Sequence, residues 1–405
     1  MGIVNRLKAI GPGALVAAAF VGPGTVTTAS VIGAEYAYLL LWTIAFSIIA
    51  TMVLQEMSAR LGLVSREGLG EALRNESSNL LVKVVTVALV VGAIGLGTAA
   101  FQTGNIVGGA AGLSTITGVS ENVWGPLIGI AAGSLLWSGN YKLIERVFVG
   151  LVTVMGLAFI VNAIMVRPDI GAISGGLVPT VPEGSAYLIA GLIGTTVVGY
   201  NLFLHASTVQ ERWDGPSDLA ECRTDTIAMV VLGGIITTSI VVTAAAVFPE
   251  GSGIENIGEM ADQLEPAFGG YALTFFAIGL FAAGFTSAMS APLAGAYATA
   301  GALGWERDLT STRFRAIWVT ILGVGTVFSA LDYSPLEVIL FAQAMNGILL
   351  PILAIFLIYA MNNESLLGEY TNSTLQNVLG GLVTLVVVVI GLQTLFDAIT
   401  GLLGI

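Results

Sequence analysis

Long apolar stretches recur along the whole chain and limit its possible folds more than any other feature. A helix that crosses a bilayer needs about 20 mostly apolar residues. Only 10% of the residues are charged, whereas a soluble domain has about 25%. The sequence therefore predicts an all-α polytopic membrane protein in which residues 1–405 form one transmembrane domain. Its predicted spans are Gly11–Gly33, Tyr38–Arg60, Leu80–Ala111, Val123–Ser138, Leu143–Val166, Tyr187–Arg212, Ile227–Phe248, Tyr271–Leu303, Arg315–Leu331, Leu336–Met361 and Val378–Leu402.

The basic residues indicate how these eleven stretches are oriented. With the N-terminus in the cytoplasm, all but one of the 14 Lys and Arg residues fall on the cytoplasmic side, and only Arg167 lies outside. Cytoplasmic segments of membrane proteins carry such an excess of positive charge. The sequence thus predicts a multi-pass protein of the cell membrane with a cytoplasmic N-terminus and an external C-terminus.

Composition and motifs exclude several functions. A net charge of −12 disfavours nucleic-acid binding, which needs a basic face. Since Cys222 and His205 are the only residues of their kinds, neither an internal disulfide nor a zinc cluster is expected. No P-loop or nucleophile–base pair is visible, so we expect neither an ATP-driven pump nor an enzyme. We expect no cofactor and no protein partner, but a lipid bilayer, a small transported solute or cation, and a proton or Na⁺ as candidate coupling ion.

The loop between the seventh and eighth stretches is acidic. One interpretation is an external vestibule that concentrates cations. The alternative is a solvated loop of a protein adapted to high salt, because only three of the basic residues are Lys. The segment Ile254–Leu264 is predicted to form a short surface helix. The acidic residues are Glu250, Glu255, Glu259, Asp262 and Glu265.

Two stretches contain residues that interrupt a helix near its middle. The first has Pro23 between Gly22 and Gly24, and the sixth has Gly199 beside polar residues. Proline removes a backbone donor, and glycine favours non-helical angles. Backbone groups freed inside a membrane must be satisfied by protein, water or a ligand. Because the two stretches are five apart and run in opposite directions, they indicate a five-plus-five inverted repeat with an appended eleventh helix, in which broken helices form the substrate site.

Five motifs resemble the Nramp family of divalent-metal transporters, which has the LeuT-type fold. They are Gly22-Pro23-Gly24-Thr25 (Asp-Pro-Gly-Asn in the family), the run 55–62 ending the second helix, the run 191–197 followed by Leu204-His205, Ala342-Gln343, and Met361-Asn362-Asn363. The resemblance implies a secondary transporter working by alternating access, with repeats at residues 11–166 and 187–361 and an extra helix at 378–402.

This chain departs from the family at the metal ligands. The family uses an Asp and an Asn on the first helix, a Met on the sixth, a Gln on the tenth and a backbone carbonyl. The first three positions read Gly22, Thr25 and Val198 here. The Gln remains as Gln343, and the carbonyl lies near Thr195. The resemblance therefore implies Thr25, Thr195 and Gln343 as the candidate metal ligands.

The resemblance also implies a proton or gating pathway. The acidic residues of the family's third helix correspond to Gln102 and Asn105, whereas His205 and Arg212 keep their matching places. His205 is either a proton carrier, because histidine titrates near neutral pH, or a hydrogen-bonded structural residue. Amides in place of acids weaken the case for proton coupling.

Two kinds of cargo fit the neutral oxygens that remain. A dehydrated transition metal needs anionic or soft donors, so the first interpretation is a divalent cation that keeps part of its water, such as Mg²⁺. Small residues at Gly22 and Gly199 would leave room for it. The alternative is a small organic solute or carboxylate held at the N-termini of half-helices. The predicted substrate-binding residues are Gly22, Gly24, Thr25, Thr195, Val198, Gly199, Tyr200, Asn201 and Gln343.

Overall fold

The computed structural model describes residues 21–76, 80–139 and 142–403, which form helices and connecting turns without β-strands. The long helices are α1 (Pro23–Tyr36), α2 (Leu41–Ser65), α3 (Leu80–Thr117), α4 (Glu121–Ser138), α5 (Lys142–Met165), α6 (Ala186–Thr196), α7 (Gly199–Arg212), α8 (Leu219–Val247), α9 (Ala272–Leu303), α10 (Thr312–Ser329), α11 (Pro335–Ala360) and α12 (Thr374–Leu403). Short helical segments lie between them at Leu69–Glu76, Ile170–Gly175, Pro216–Asp218, Glu259–Leu264, Glu265–Phe268, Gly269–Tyr271, Glu364–Leu367 and Gly368–Tyr370.

Most of the long helices have the length and the apolar composition of membrane-spanning helices. Within the described ranges, eight helical segments are long and apolar enough to cross a bilayer, and they contain α2, α3, α5, α6 with α7, α8, α9, α11 and α12. The helices α4 and α10, with 18 residues each, fall short of that standard, and the part of the first predicted stretch before residue 21 lies outside the described residues. The prediction of a multi-pass, all-helical protein is confirmed.

The predicted boundary of the seventh stretch is wrong at its start. The helix α8 begins at Leu219, eight residues before Ile227. Its first two turns contain Glu221, Arg223 and Asp225. Polar residues at a helix end in water carry no apolar signal, so the hydropathy pattern detects only the spanning part of this helix.

The segment Ile254–Leu264 is not a surface helix. Only Glu259–Leu264 is helical, as a 3₁₀ helix, and Met260 and Leu264 have no exposed surface. The buried Gln263 donates from Nε2 to Ser30 Oγ on α1 over 2.7 Å. Glu259 accepts hydrogen bonds from the Glu255 N–H (2.9 Å) and the Asn256 amide. This segment therefore packs against α1 near Ser30 instead of lying on the surface.

Glycines let neighbouring helices approach at backbone distance. A Cβ at Gly62 on α2 would collide with the Ala206 carbonyl on α7, and one at Gly284 on α9 would collide with Gly109 on α3. Small residues at such crossings are typical of membrane helices, where close packing replaces the hydrophobic effect as the source of association. The first contact holds α7 against α2, and the second holds α9 against α3.

A buried arginine and its partner Glu56 join three chain segments near the C-terminal end of α2. Arg60 on α2 lies 3.1 Å from Glu56, and Arg223 of α8 lies 2.7 Å from the same carboxylate. Arg60 also donates to the Tyr370 carbonyl (2.6 Å) and to Asn372 Oδ1 (2.7 Å). This cluster holds the ends of α2 and α8 to the segment that precedes α12.

Candidate functional site

The interruption predicted in the sixth stretch is present in the structure, and α1 begins at the proline of the first stretch, whose part before residue 21 lies outside the described residues. Gly22 precedes the first turn of α1 with an extended backbone (φ −81°, ψ 174°), and Pro23 opens the helix, where a missing N–H has no cost. The sixth stretch ends as α6 at Thr196 and resumes as α7 at Gly199. Val197 and Val198 between them have non-helical angles. The break between α6 and α7 therefore lies in the buried, apolar part of the fold.

A hydroxyl pair joins the two broken segments. Thr25 Oγ1 on α1 lies 2.9 Å from Thr195 Oγ1 on α6. Both residues are buried, with at most 1% of their surface exposed. The structure thus brings together two of the three candidate metal ligands.

The third candidate, Gln343 on α11, lies against the first turn of α1. A Cβ at Gly24 would collide with the Gln343 amide group, so only a glycine lets this amide lie on the α1 backbone. Gln343 is fully buried, and neither Oε1 nor Nε2 has a hydrogen-bond partner among the described residues. An unsatisfied buried amide costs about 1–3 kcal/mol. A bound cation or its hydration water would satisfy this group.

A residue that sequence reasoning missed supports this arrangement. Asn346 lies one turn after Gln343, and its side-chain amide donates to the Gly194 carbonyl of α6. A Cβ at Gly194 would collide with the Gln343 carbonyl, so α6 and α11 are in backbone contact here. The signal was visible in the sequence, because a polar residue three positions from Gln343 shares its helix face.

The residues after the second break lie in apolar surroundings. Val198 and Tyr200 belong to one buried cluster with Phe101, whose ring lies edge-on to Tyr200 with centroids 5.4 Å apart. A Cβ at Gly199 would collide with Leu353 on α11. The expectation that Gly199 leaves room for a hydrated ion is therefore wrong, since Leu353 fills that space. Asn201 is buried in the first turn of α7.

The pathway candidates on α3 lie on a different face from the site. Gln102 donates to the Ala288 carbonyl of α9 over 3.1 Å, and neither polar side-chain atom of Asn105 has a partner in the described part of the chain. A Cβ at Gly325 of α10 would contact Gln102. In contrast, Gly104 on α3 faces Gln343. The Gln102 side chain therefore packs against α9 and α10, whereas Gly104 of the same helix faces α11.

His205 and Arg212 occupy separate environments. His205 Nδ1 lies 2.9 Å from the Gln55 side-chain amide on α2. The buried Nε2 has no partner among the described residues. Arg212 lies two helical turns further, about 10 Å along α7, with Glu221 at 3.9 Å. The structure therefore does not bring these two residues together.

The donors at the site are neutral. In the described ranges, no three His, Cys, Asp or Glu side chains are grouped so that they could hold a metal ion. No Asp or Glu is buried there; the buried ionisable side chains are Arg60, Tyr200, His205 and Cys222. The site therefore offers hydroxyl, amide and carbonyl oxygens to a ligand, without a negative charge.

The chain is similar to known proteins in both sequence and fold. The family described as natural resistance-associated macrophage protein-like, Nramp, matches residues 13–397. The divalent metal cation transporter MntH of Yersinia pestis is 28% identical over 392 residues, covering 95% of this chain and 93% of the relative. A manganese transporter of Eremococcus coleocola superposes with a TM-score of 0.77 at 22% identity, covering all of this chain and 90% of that one. MhsT in complex with L-phenylalanine superposes with a TM-score of 0.61 at 16% identity, covering 96% and 98%.

Proposed function

Because the chain belongs to the Nramp family, we propose that it is a secondary transporter that moves a divalent metal cation into the cytoplasm by alternating access. The observation that carries this proposal is the meeting of the two helix breaks at Thr25, Thr195 and the unpartnered amide of Gln343. Broken helices facing each other at mid-membrane form the substrate site in transporters built from inverted repeats.

The donor chemistry supports a partly hydrated ion such as Mg²⁺ as the cargo. Mg²⁺ gives up its water reluctantly and takes oxygen ligands. Hydroxyl and amide groups hydrogen-bond well to such water, whereas a bare transition metal would need the carboxylate and the thioether that are absent at Gly22 and Val198. We propose that Thr25, Thr195 and Gln343 contact the hydrated ion. The surrounding residues of the proposed site are Gly22, Gly24, Val198, Gly199, Tyr200 and Asn201.

The orientation and the repeats complete the proposal. We propose a cytoplasmic N-terminus and an external C-terminus, which the one-sided distribution of Lys and Arg supports. In this orientation α1 and α6 are the outer halves of the two broken helices, and α7 is an inner half. The two repeats then comprise residues 11–166 and 187–361, and α12 is the extra helix.

A flux assay tests the function. The purified protein in liposomes should carry Mg²⁺ along its gradient without ATP, and Gln343→Ala should reduce the rate by about tenfold, as expected for the loss of one hydrogen bond to a charged ligand. Gln393→Ala is the matched control, because Gln393 lies on the exposed face of α12.

Calorimetry separates the cargo classes. Heat of binding with Mg²⁺ or Mn²⁺ supports the metal, and its loss in Gln343→Ala locates the site. No heat with either metal, together with thermal stabilisation by an amino acid or a carboxylate, would reverse the assignment to an organic solute.

A further inference from the structure

An apolar groove of about 650 Å³ opens between α4 and α10 on the surface of the bundle. Along its floor, Gly129 and Gly133 of α4 pack against Thr326 and Leu322 of α10. Its rims are exposed aliphatic side chains of both helices, Ile130, Val319 and Val327. Because both helices belong to the transmembrane fold, the groove faces the hydrocarbon part of the bilayer.

Aromatic and basic groups close one end of the groove. Trp137 and Trp318 meet edge to face with ring centroids 6.1 Å apart, and Trp137 is 57% exposed. The Arg315 guanidinium lies 4.4 Å above the Trp137 ring, which holds this charge at the mouth of the groove. Tryptophan favours the headgroup level of a membrane. The Asp308 carboxylate, which interacts electrostatically with Arg315, accepts hydrogen bonds from Thr310.

The length of the groove matches one leaflet. From Trp137 to Gly129 the helix rises about 12 Å over eight residues, and half of the hydrocarbon core is about 15 Å. The groove therefore extends from a basic headgroup-level end toward the middle of the membrane, which is the shape and polarity of one phospholipid with an anionic headgroup.

We propose that this groove binds one anionic phospholipid of the leaflet that contains Trp137, with an acyl chain between α4 and α10 and the phosphate at Arg315. The charge at one end and the apolar lining elsewhere favour this occupant over a second copy of the chain. The glycines that would allow a close helix–helix contact between copies, Gly129 and Gly133, already pack against α10. This proposal is independent of the transported cargo.

Filling the groove is the direct test. No atom lies within 4 Å of a Cβ built at Gly323, so Gly323→Leu places a side chain in the groove without a clash. Gly381 on α12 is equally open, so Gly381→Leu is the matched control. The readout is native mass spectrometry of delipidated protein after addition of phosphatidylglycerol or phosphatidylcholine with identical acyl chains.

The wild type and Gly381→Leu should retain phosphatidylglycerol about fivefold better than phosphatidylcholine, the preference expected from one arginine near a membrane surface. Gly323→Leu should lose the bound lipid, and Arg315→Gln should bind both lipids equally. Equal retention of the two lipids by the wild type overturns the proposal, as does unchanged lipid binding in Gly323→Leu. If the wild type is a dimer and Gly323→Leu is a monomer, the groove is instead an interface between two copies of the chain. If Gly323→Leu does not fold, Arg315→Gln alone tests the proposal. A variant Arg315→Gln that still prefers phosphatidylglycerol to phosphatidylcholine would overturn it.

Discussion

Gly22 and Gln343 show how single residues set the chemistry of the site. Gly22 has the extended backbone of a residue that precedes a helix, a position that Asp occupies readily because its carboxylate accepts from the first free N–H groups. Gln343 reaches the same turn of α1 only because residue 24 is a glycine. The backbone is therefore ready for a carboxylate at position 22 that the sequence does not supply.

Gly22→Asp should create affinity for Mn²⁺. A carboxylate beside Thr25 and Gln343 adds the negative charge that a transition metal requires, and we expect Mn²⁺ to bind at least about tenfold more tightly, a gain of about 1.4 kcal/mol. Titration calorimetry of the purified variant measures this change. A folded Gly22→Asp protein with the affinity of the wild type would show that residue 22 does not face the ion. Glu255→Gln, which alters an exposed acidic loop residue, is the control.

For single residues, the sequence predicts which residues belong to the site better than it predicts which residues surround them. The resemblance led to Thr25, Thr195 and Gln343, and the structure brings them together. The space beside Gly199 was misjudged, because Leu353 comes from a helix more than 150 positions away in the chain and only the folded packing shows that it fills the gap. Asn346 was missed although its spacing from Gln343 was visible.

Among the elements, α3 is the one whose polar face has the clearest functional consequence. Gln102 and Asn105 lie in the packing between α3, α9 and α10, where they offer amides and no titratable group. An amide neither gains nor loses a proton in the range in which transporters work. Gln102 and Asn105 therefore offer no proton-carrying group on α3.

We expect metal entry without proton entry. In liposomes that contain a pH-sensitive dye, Mg²⁺ influx should proceed without acidification of the lumen and should not respond to an imposed pH gradient. His205→Gln should transport at close to the wild-type rate, because its amide can still donate to Gln55. Acidification in proportion to metal influx, abolished in His205→Gln, would instead make His205 the proton carrier.

The sequence predicts the end of a helix correctly only where the helix ends together with its apolar run. The end of α9 at Leu303 agrees with its prediction, since the apolar run stops there. The start of α8 was misplaced because its first turns lie beyond the apolar span. The segment before α9 was misjudged because its acidic side chains suggested solvent exposure, whereas Met260 and Leu264 pack inward.

The arginine at the end of α2 should contribute strongly to stability. Arg60→Met removes hydrogen bonds to Glu56, Tyr370 and Asn372 from a buried position, so we expect the free energy of unfolding to fall by about 2–3 kcal/mol. Arg212→Met is the matched control, since Glu221 is two-thirds exposed and an exposed pair contributes under about 1 kcal/mol. Chemical denaturation in micelles compares the two. Equal losses would contradict a special role for the buried cluster.

In the whole molecule, contacts at both ends enclose the site. Gln263 ties the segment before α9 to Ser30 on α1. At the other end, Arg60 and Glu56 tie the end of α2 and the start of α8 to the segment before α12. Thr25, Thr195 and Gln343 between them are buried. Alternating access requires that contacts at one end open while those at the other hold, so these two clusters are the contacts that such a cycle would have to break in turn.

The orientation of the protein in the membrane can be tested by cysteine labelling in intact cells. The natural Cys222 is buried and is the single cysteine, so it gives little background. Glu255→Cys lies in the acidic loop and Glu369→Cys between α11 and α12, both at exposed positions. A membrane-impermeant maleimide should label Glu255→Cys in intact cells and Glu369→Cys only after the cells are opened. The opposite pattern would contradict the proposed orientation and place the acidic loop on the cytoplasmic side.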